Sequence, residues 1–264
     1  FTAYKDRWKE RTPDWKPGVY ERVDDPIRPI YTRLADHILQ IGEQVPDAQP
    51  LLRPGELVIK DINGYRRDAN KQPIVDENGR FVLTGEPDGL IDDADNVLLG
   101  SQDPSWLACI TNTFKYKDFD LNIQLNGMFG RRMQDPTEMA YGLGGGDLAR
   151  YGYNALRKIK DRWTWDNPST TQPTSFNGWG NNYTSGDWYY QRAWFIRLTN
   201  ISFGWTLPKA WIARTKVLSR VRLSLSANNL FCITPYKGLD PETDYYAASY
   251  PNARTYSMGI NVTF

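Results

Sequence analysis

The residues best equipped for chemistry are the acidic ones gathered between Asp61 and Asp95. Asp61, Asn63, Asp88, Asp92, Asp93 and Asp95 offer hard oxygen donors, and their Asp-x-Asn-Gly and Asp-Gly settings are spaced like fragments of a calcium loop. Calcium is the one ion this stretch suggests, and no organic cofactor is indicated. The same sequences also form turns by bonding their own backbone, and Tyr65 to Pro87 separates the two acidic halves and breaks the ligand spacing. A glycosidase pair drawn from these carboxylates would need two of them held about 5 to 9 Å apart across a cleft. His37 is the single histidine and is expected in a polar loop, without the setting that a Ser/His/Asp triad or a zinc site requires. Gly144-Gly145-Gly146 lacks a following Lys-Ser/Thr, so it reads as a hinge and not as a phosphate loop.

Aromatic side chains are the other candidates. Trp163, Trp165, Phe176, Trp179, Tyr183, Trp188, Tyr189 and Tyr190 fall in one irregular region and suit a platform for sugar rings or peptide side chains. Of these, Trp163, Trp165, Trp179, Trp188, Tyr189 and Tyr190 are the candidate ligand contacts. Their alternative role is to pack long loops together and fill a headgroup belt.

Composition narrows the classes. The 264 residues carry 32 basic and 31 acidic side chains, a net charge of +1 that gives no electrostatic case for nucleic acid. Two cysteines, Cys109 and Cys232, make neither a disulfide framework nor a metal site. The mean hydropathy is -0.61 and no run of 18 apolar residues occurs, which excludes a transmembrane helix but not a barrel whose strands expose alternate residues to lipid. Phe1 is not Met, and Phe-Thr-Ala-Tyr reads as a piece of strand, so the sequence is expected to be part of a longer polypeptide.

The strands that must position these residues are legible from alternation. In Arg254 to Phe264, Tyr256, Met258, Ile260, Val262 and Phe264 share one face, while Thr255, Ser257, Gly259, Asn261 and Thr263 share the other. An apolar face over a polar one, for roughly 10 residues, is what a strand between lipid and a wet lumen needs. Trp106 to Tyr116 and Phe119 to Phe129 form a pair joined by Lys117-Asp118, with Phe119, Leu121, Ile123, Leu125 and Phe129 on the oily face. Alternation runs straight through Asn126-Gly127, so Gly127 is a strand residue and not a turn. Val221, Leu223, Leu225, Ala227 and Phe231 mark another oily face. Trp194 to Leu207 changes parity midway, and a bulge at Thr199-Asn200 would restore the face. Asp147 to Trp163 has helical spacing with Asp147 as N-cap, and Ile74 to Leu83 reads as a hairpin turning at Asn78-Gly79.

At several of these places the chain resembles a known family. Pro54-Gly55-Glu56, Lys60-Asp61-Ile62-Asn63-Gly64 and Asp88-Gly89-Leu90-Ile91-Asp92 match a contiguous loop signature that is here split by Tyr65 to Pro87. Arg162-Trp163-Thr164-Trp165-Asp166-Asn167-Pro168-Ser169, the strand ending in Leu207-Pro208-Lys209, Ala227-Asn228-Asn229-Leu230-Phe231 and Tyr236-Lys237-Gly238-Leu239-Asp240-Pro241-Glu242 add further matches. Trp165 stands where the pattern has Pro. In combination they resemble the C-terminal part of a SusC-type (SusC/RagA-like) TonB-dependent transporter of the Bacteroidota. Tyr256 and the terminal Phe264 resemble the insertion signal of outer-membrane barrel proteins.

The resemblance implies an all-β fold: about six C-terminal strands of an antiparallel transmembrane barrel of roughly 22 strands, whose plug and earlier strands are not in residues 1-264. Residues 6-105, carrying the hairpin insert 65-87, and residues 130-192 and 233-253 are expected to be extracellular loops. The implied function is outer-membrane import of oligosaccharides or peptides, without covalent chemistry. The implied partners are the rest of the same barrel and plug, a SusD-like lipoprotein, TonB-ExbB-ExbD acting through the plug, and membrane lipid. The competing expectation is a β-rich surface glycan-binding module without transport activity, which would stay soluble without detergent.

Overall fold

The computed structural model describes residues 2–3, 7, 24–76, 80–135, 138, 141–142, 152, 154–174, 186–243 and 250–264. Its strands are β1 (Thr2–Ala3), β2 (Pro29–Thr32), β3 (Ala35–Ile38), β4 (Leu57–Ile59), β5 (Val97–Ser101), β6 (Trp106–Tyr116), β7 (Phe119–Phe129), β8 (Arg132–Gln134), β9 (Tyr190–Arg192), β10 (Phe195–Thr206), β11 (Arg220–Asn228), β12 (Cys232–Ile233) and β13 (Thr255–Thr263). The main sheet runs β1-β6-β7-β10-β11-β13, with β12 also paired to β10, and every pairing in it is antiparallel. Three small two-stranded ladders, β2-β5, β3-β4 and β8-β9, stand apart from it in the long connections.

Sequence alternation becomes rows across this sheet. Phe114, Leu121, Phe203, Leu225 and Met258 are successive register partners, as are Tyr116, Phe119, Trp205, Leu223 and Ile260. Phe119 stacks on Trp205 at 5.8 Å and on Phe203 at 5.7 Å. Most of these side chains are nevertheless exposed, with Met258 at 76% and Phe114 at 56%, so this apolar face has no protein against it among the described residues. Gly127 lies within β7 opposite Ala108 and Ile196, as alternation requires, and the ring of Phe129 lies over it.

The parity change in β10 resolves as a bulge. Leu198 pairs with Leu125 and Asn200 with Gln124, leaving Thr199 as the extra residue. Above it Ile196 pairs with Gly127, and below it Ile201 pairs with Ile123, so both halves present their apolar residues to the same side. The neighbouring strand breaks at the same height: Asn229 takes a left-handed φ of 53°, after which β12 resumes the ladder with Ile233 opposite Ile196. Lys117, with φ 52°, makes the tight turn between β6 and β7.

The opposite face is polar and internally bonded. The Asn122 amide donates to Thr113 at 2.9 Å, Asn200 donates to Asn228 at 2.7 Å, and Asn228 donates to Thr255 at 3.0 Å. Cys109, Asn126, Arg197 and Cys232 are successive partners in one row, so three strand spacings, about 14 Å, separate the two free thiols.

One local expectation needs correction, and another, the Ile74 to Leu83 hairpin, is present through the antiparallel Val75–Phe81 pair and extended. Of the helix read over Asp147 to Trp163, the described part contains only a 3-10 turn at Arg157–Asp161, capped by a Leu156 with no side-chain acceptor. Tertiary packing of Trp163 fixes the end of this segment and overrides helical spacing. The insert 65-87 is more than a hairpin: Arg66 and Ile74 exchange one backbone bond, Ile74 and Val82 another, and Arg66 and Val82 a third, closing a small three-stranded ladder. Its turn at Asn78-Gly79 lies outside the described residues.

Candidate functional site

The long connections form a compact layer of their own. Ile38, Leu57, Trp163 and Tyr189 make its buried core, with Ala35 and Trp188 packed against them. Trp163 is 1% exposed, and its indole N–H donates to Gln40 Oε1 at 3.3 Å. Gly55, at φ +91°, allows that ring to lie directly on the backbone, since a Cβ there would stand 2.5 Å from Trp163 and 2.9 Å from Thr174. The Pro54-Gly55-Glu56 turn is held by the Glu56 carboxylate, which accepts from Arg53 N–H at 2.8 Å, and by Gly55 N–H donating to Leu39 O at 2.7 Å.

This geometry corrects two of the aromatic candidates. Trp163 and Tyr189 are core residues whose rings are turned inward, because burying two large apolar surfaces is what joins residues 35–59 to residues 163–189. Trp165 stands edge-on to Trp163 at 5.4 Å and is 63% exposed, which leaves its face open to a ligand. Trp188 and Tyr190 are half-exposed, and Phe176, Trp179 and Tyr183 lie outside the described residues.

The acidic residues are assembled, but around backbone. Asp61 accepts from Gly89 N–H at 2.7 Å and Asp88 N–H at 3.2 Å, which clasps the two ends of the 65-87 insert. Asp95, fully buried, accepts from Ile62, Asn63 and Asp92 N–H groups, and Asp92 accepts from Ala94 N–H, giving a reciprocal capping box over Asp93–Asp95. Asp88 accepts from Leu90 N–H, and Asp93 lies 3.5 Å from Arg33. Among the described residues no three His, Cys, Asp or Glu side chains come together in a way that could hold a metal ion. Burial, then the charges of Asp92, Asp93 and Asp95, push the nearby Tyr65 hydroxyl up to about 12.

His37 is a strand residue, not a loop residue. Its Nδ1 is 2.9 Å from Asp36 and its Nε2 is 2.5 Å from Glu43, while Lys60 contacts Asp36 at 3.2 Å. Burial alone lowers the imidazole's proton affinity, but the two carboxylates outweigh it and the net direction is up.

Sequence reasoning missed the ion pairs. Arg197 on β10 is 5% exposed and reaches Asp240 of the Tyr236-Lys237-Gly238-Leu239-Asp240-Pro241-Glu242 segment at 2.5 Å. Asp240 also accepts from Glu242 and Asn252 N–H, so one carboxylate closes the last connection at both of its ends. Tyr236 donates to Gln134 O, Lys237 N–H donates to Gln191, and Arg131 donates to Pro241 O, tying that connection to β8 and β9. Burial, then the charge of Asp135, pushes the Tyr236 hydroxyl well up. The signal available was parity: Arg197 falls on the polar side of β10, where a fixed charge needs a partner. On the same side, Arg222 of β11 holds Asp120 of β7 at 2.7 and 2.8 Å across the intervening β10.

With the sheet and its loop layer in view, relatives can be compared. No family model matches the chain. The TonB-dependent receptor P3 of Formosa agariphila is 28% identical over 254 residues, covering 86% of this chain and 24% of that protein. The TonB-dependent receptor SusC of Bacteroides thetaiotaomicron is 26% identical over 213 residues, covering 73% of this chain and 19% of that protein. Among solved structures, that of the RagAB peptide transporter matches with a TM-score of 0.61 and 21% identity, over 98% of this chain and 25% of the other. The chain thus spans about a quarter or less of the proteins it matches. Tyr256 and Phe264, 73% and 81% exposed, end the apolar face of the last strand. No helix among the described residues is long and apolar enough to cross a membrane, which says nothing of strands that cross as a barrel. In sequence the chain is similar to TonB-dependent receptors, SusC among them, and in fold it is similar to the matching part of the RagAB peptide transporter.

Proposed function

We propose that these residues form the last strands and outer loops of an outer-membrane importer for oligosaccharides or peptides. The observation that carries this is the outward apolar face: aligned rows of Phe, Leu, Trp and Met cross five strands with no covering protein among the described residues, while the other face is a bonded polar wall. A soluble module would bury that face, and β1 and β13 would present free edges unless further strands complete the sheet. The long connections 6-105, 130-192 and 233-253 lie outside the cell in this reading, and the turn at Lys117 lies in the periplasm.

The protein performs no covalent chemistry; its work is selective binding and a hydrated path. Trp165, with Trp188 packed against the same core and the half-exposed Tyr190, is the surface we assign to ligand contact in the loop layer. A SusD-like lipoprotein would cover that layer and TonB would act through the plug, by analogy with the named relatives. The test is uptake of labelled peptide and oligosaccharide pools by cells carrying or lacking the full-length gene product, together with detergent dependence of its extraction. Release from the membrane fraction without detergent, or uptake unchanged by its loss, overturns the proposal.

A further inference from the structure

The apolar face is not uniform. Where β11 carries Ala227, opposite Ile201 on one side and Tyr256 on the other, the row lacks a large side chain and a groove of about 430 Å³ opens. It lies between two adjacent rows, Leu121, Phe203 and Met258 on one and Ile201, Ala227 and Tyr256 on the other, and spans four strands. Its walls are mainly apolar, with Ser226 and Ser257 the polar residues in its lining, and the side chains at its β13 end are among the most exposed large apolar groups described. Two residues before Tyr256, at the end of β13 that joins the long connection, stands the exposed cation Arg254. An apolar groove with an arginine two residues beyond its β13 end, on the same parity as Tyr256 and Met258, fits one kind of occupant, an amphiphile with an acyl chain and an anionic headgroup.

We propose that this groove seats an acyl chain of a phosphorylated outer-leaflet glycolipid, with Arg254 on its phosphate. The assignment rests on the barrel reading above, since it requires this face to meet lipid. The loop end of β13 is then the extracellular end, which places Arg254 at the headgroups of the outer leaflet and selects a lipid A-type molecule over an inner-leaflet phospholipid. An arginine suits this role because its planar fork meets two phosphate oxygens at once. The groove would hold the chain by shape, and the arginine would hold the headgroup by charge.

The experiment uses the full-length protein purified from outer membranes and placed in phosphatidylcholine nanodiscs doped with phosphorylated lipid A or with its dephosphorylated form. Bound glycolipid is counted by native mass spectrometry after release. The expected result is retention of phosphorylated lipid A by the wild type, loss of it in Ala227→Phe, which fills the groove, and loss in Arg254→Gln, which lies outside the strand and leaves folding intact. Dephosphorylated lipid A should be retained poorly by all three. Retention that persists in either variant, equal retention of both lipids, or none by the wild type overturns the proposal. If Ala227→Phe fails to reach the outer membrane, Ala227→Leu is read in its place. Failure of the barrel reading shows separately, as protein that needs no detergent for extraction.

Discussion

The guanidinium of Arg222 reaches Asp120 two strands away by passing over Gly204. A Cβ at Gly204 would run into Arg222 Nη2 and lie 2.6 Å from Asp120 Oδ1, so the absence of a side chain on β10 is what lets the pair close. Gly204→Ala should therefore open this pair without touching the ladder. Because both partners are part-exposed, at 32% and 24% of their side chains, the coupling is expected to be small, about 1 kcal/mol or less. A double-mutant cycle of Arg222→Ala with Asp120→Ala, read by thermal unfolding in detergent, should show that coupling in the wild-type background and lose it in the Gly204→Ala background.

Arg197 and Asp240 are the contrasting case. Both are nearly fully buried, so Asp240→Ala leaves the buried guanidinium with only the more exposed Glu242 carboxylate, 3.3 Å from its Nε, and should cost up to about 3 kcal/mol locally. The loss should fall on the last connection, which Asp240 closes, and not on the strands. Trypsin on intact cells should cut within residues 233 to 253 far faster in Asp240→Ala than in wild type, with barrel heat-modifiability retained.

Gly55→Ala should uncouple the loop layer. The added methyl meets the Trp163 ring and Thr174, and the backbone there has a positive φ, so roughly 1 to 3 kcal/mol of local stability is at stake from each source. Trp163→Ala should do more, about 3 to 5 kcal/mol, while Trp165→Ala, on the open side of the same pair, should leave loop stability unchanged and weaken ligand uptake. Equal effects of the two tryptophan changes on protease resistance would contradict the division of labour between them.

His37 supplies the pH dependence. Its folded-state proton affinity is raised above the ordinary value of 6.5, so its contribution is complete below that value and fades as pH rises through the raised one. Backbone donation from Gln40, followed by the His37 contact, holds Glu43 below its ordinary value, and hydrogen bonds from His37 and Lys60 do the same for Asp36. Their contribution fades instead as pH falls through the depressed carboxylate range. The clamp is thus tightest between the two, and its exposed ends keep it weak. Imidazole carbon-proton spectra of histidine-labelled protein, with His37→Gln as the difference control, should give a midpoint above 6.5; a midpoint at or below it would contradict the clamp.

Alternation on β13 gives the membrane test. Ile260→Arg places a charge on the apolar face and should cost roughly 2 to 4 kcal/mol near the bilayer midplane, lowering outer-membrane abundance. Asn261 is a poor control, since it pairs directly with Arg222 and a second arginine there would meet a like charge. Ser257, opposite Ser226, is the sound one, and Ser257→Arg should assemble normally.

What alternation can show, it showed well. Trp106–Tyr116 and Phe119–Phe129 have the bounds that their aromatic ends and the Lys117-Asp118 turn suggest, and the bulge needed to reconcile β10 is at Thr199. Those features are local, written in period and turn chemistry. The roles of Trp163 and Tyr189 were not legible, because a loop aromatic looks alike in sequence whether it faces a ligand or another loop more than 100 residues away. The acidic stretch was ambiguous for the same reason: Asp61 and Asp95 spend their oxygens on backbone groups that only the folded loop brings near. The pairs Arg222–Asp120 and Arg197–Asp240 depend on which strands lie between or beside them, information that no single strand contains.

The bulge at Thr199 and the left-handed Asn229 sit side by side, joined by the Asn229 N–H to Thr199 O bond, so two neighbouring strands change step along one seam. Below it the ladder from Asn200 to Thr206 keeps strict count with β7 and β11. A residue gained or lost above the seam shifts only what lies above, and the counting below is not disturbed. Such a wall uncouples the length of its upper rim from the register of its lower half.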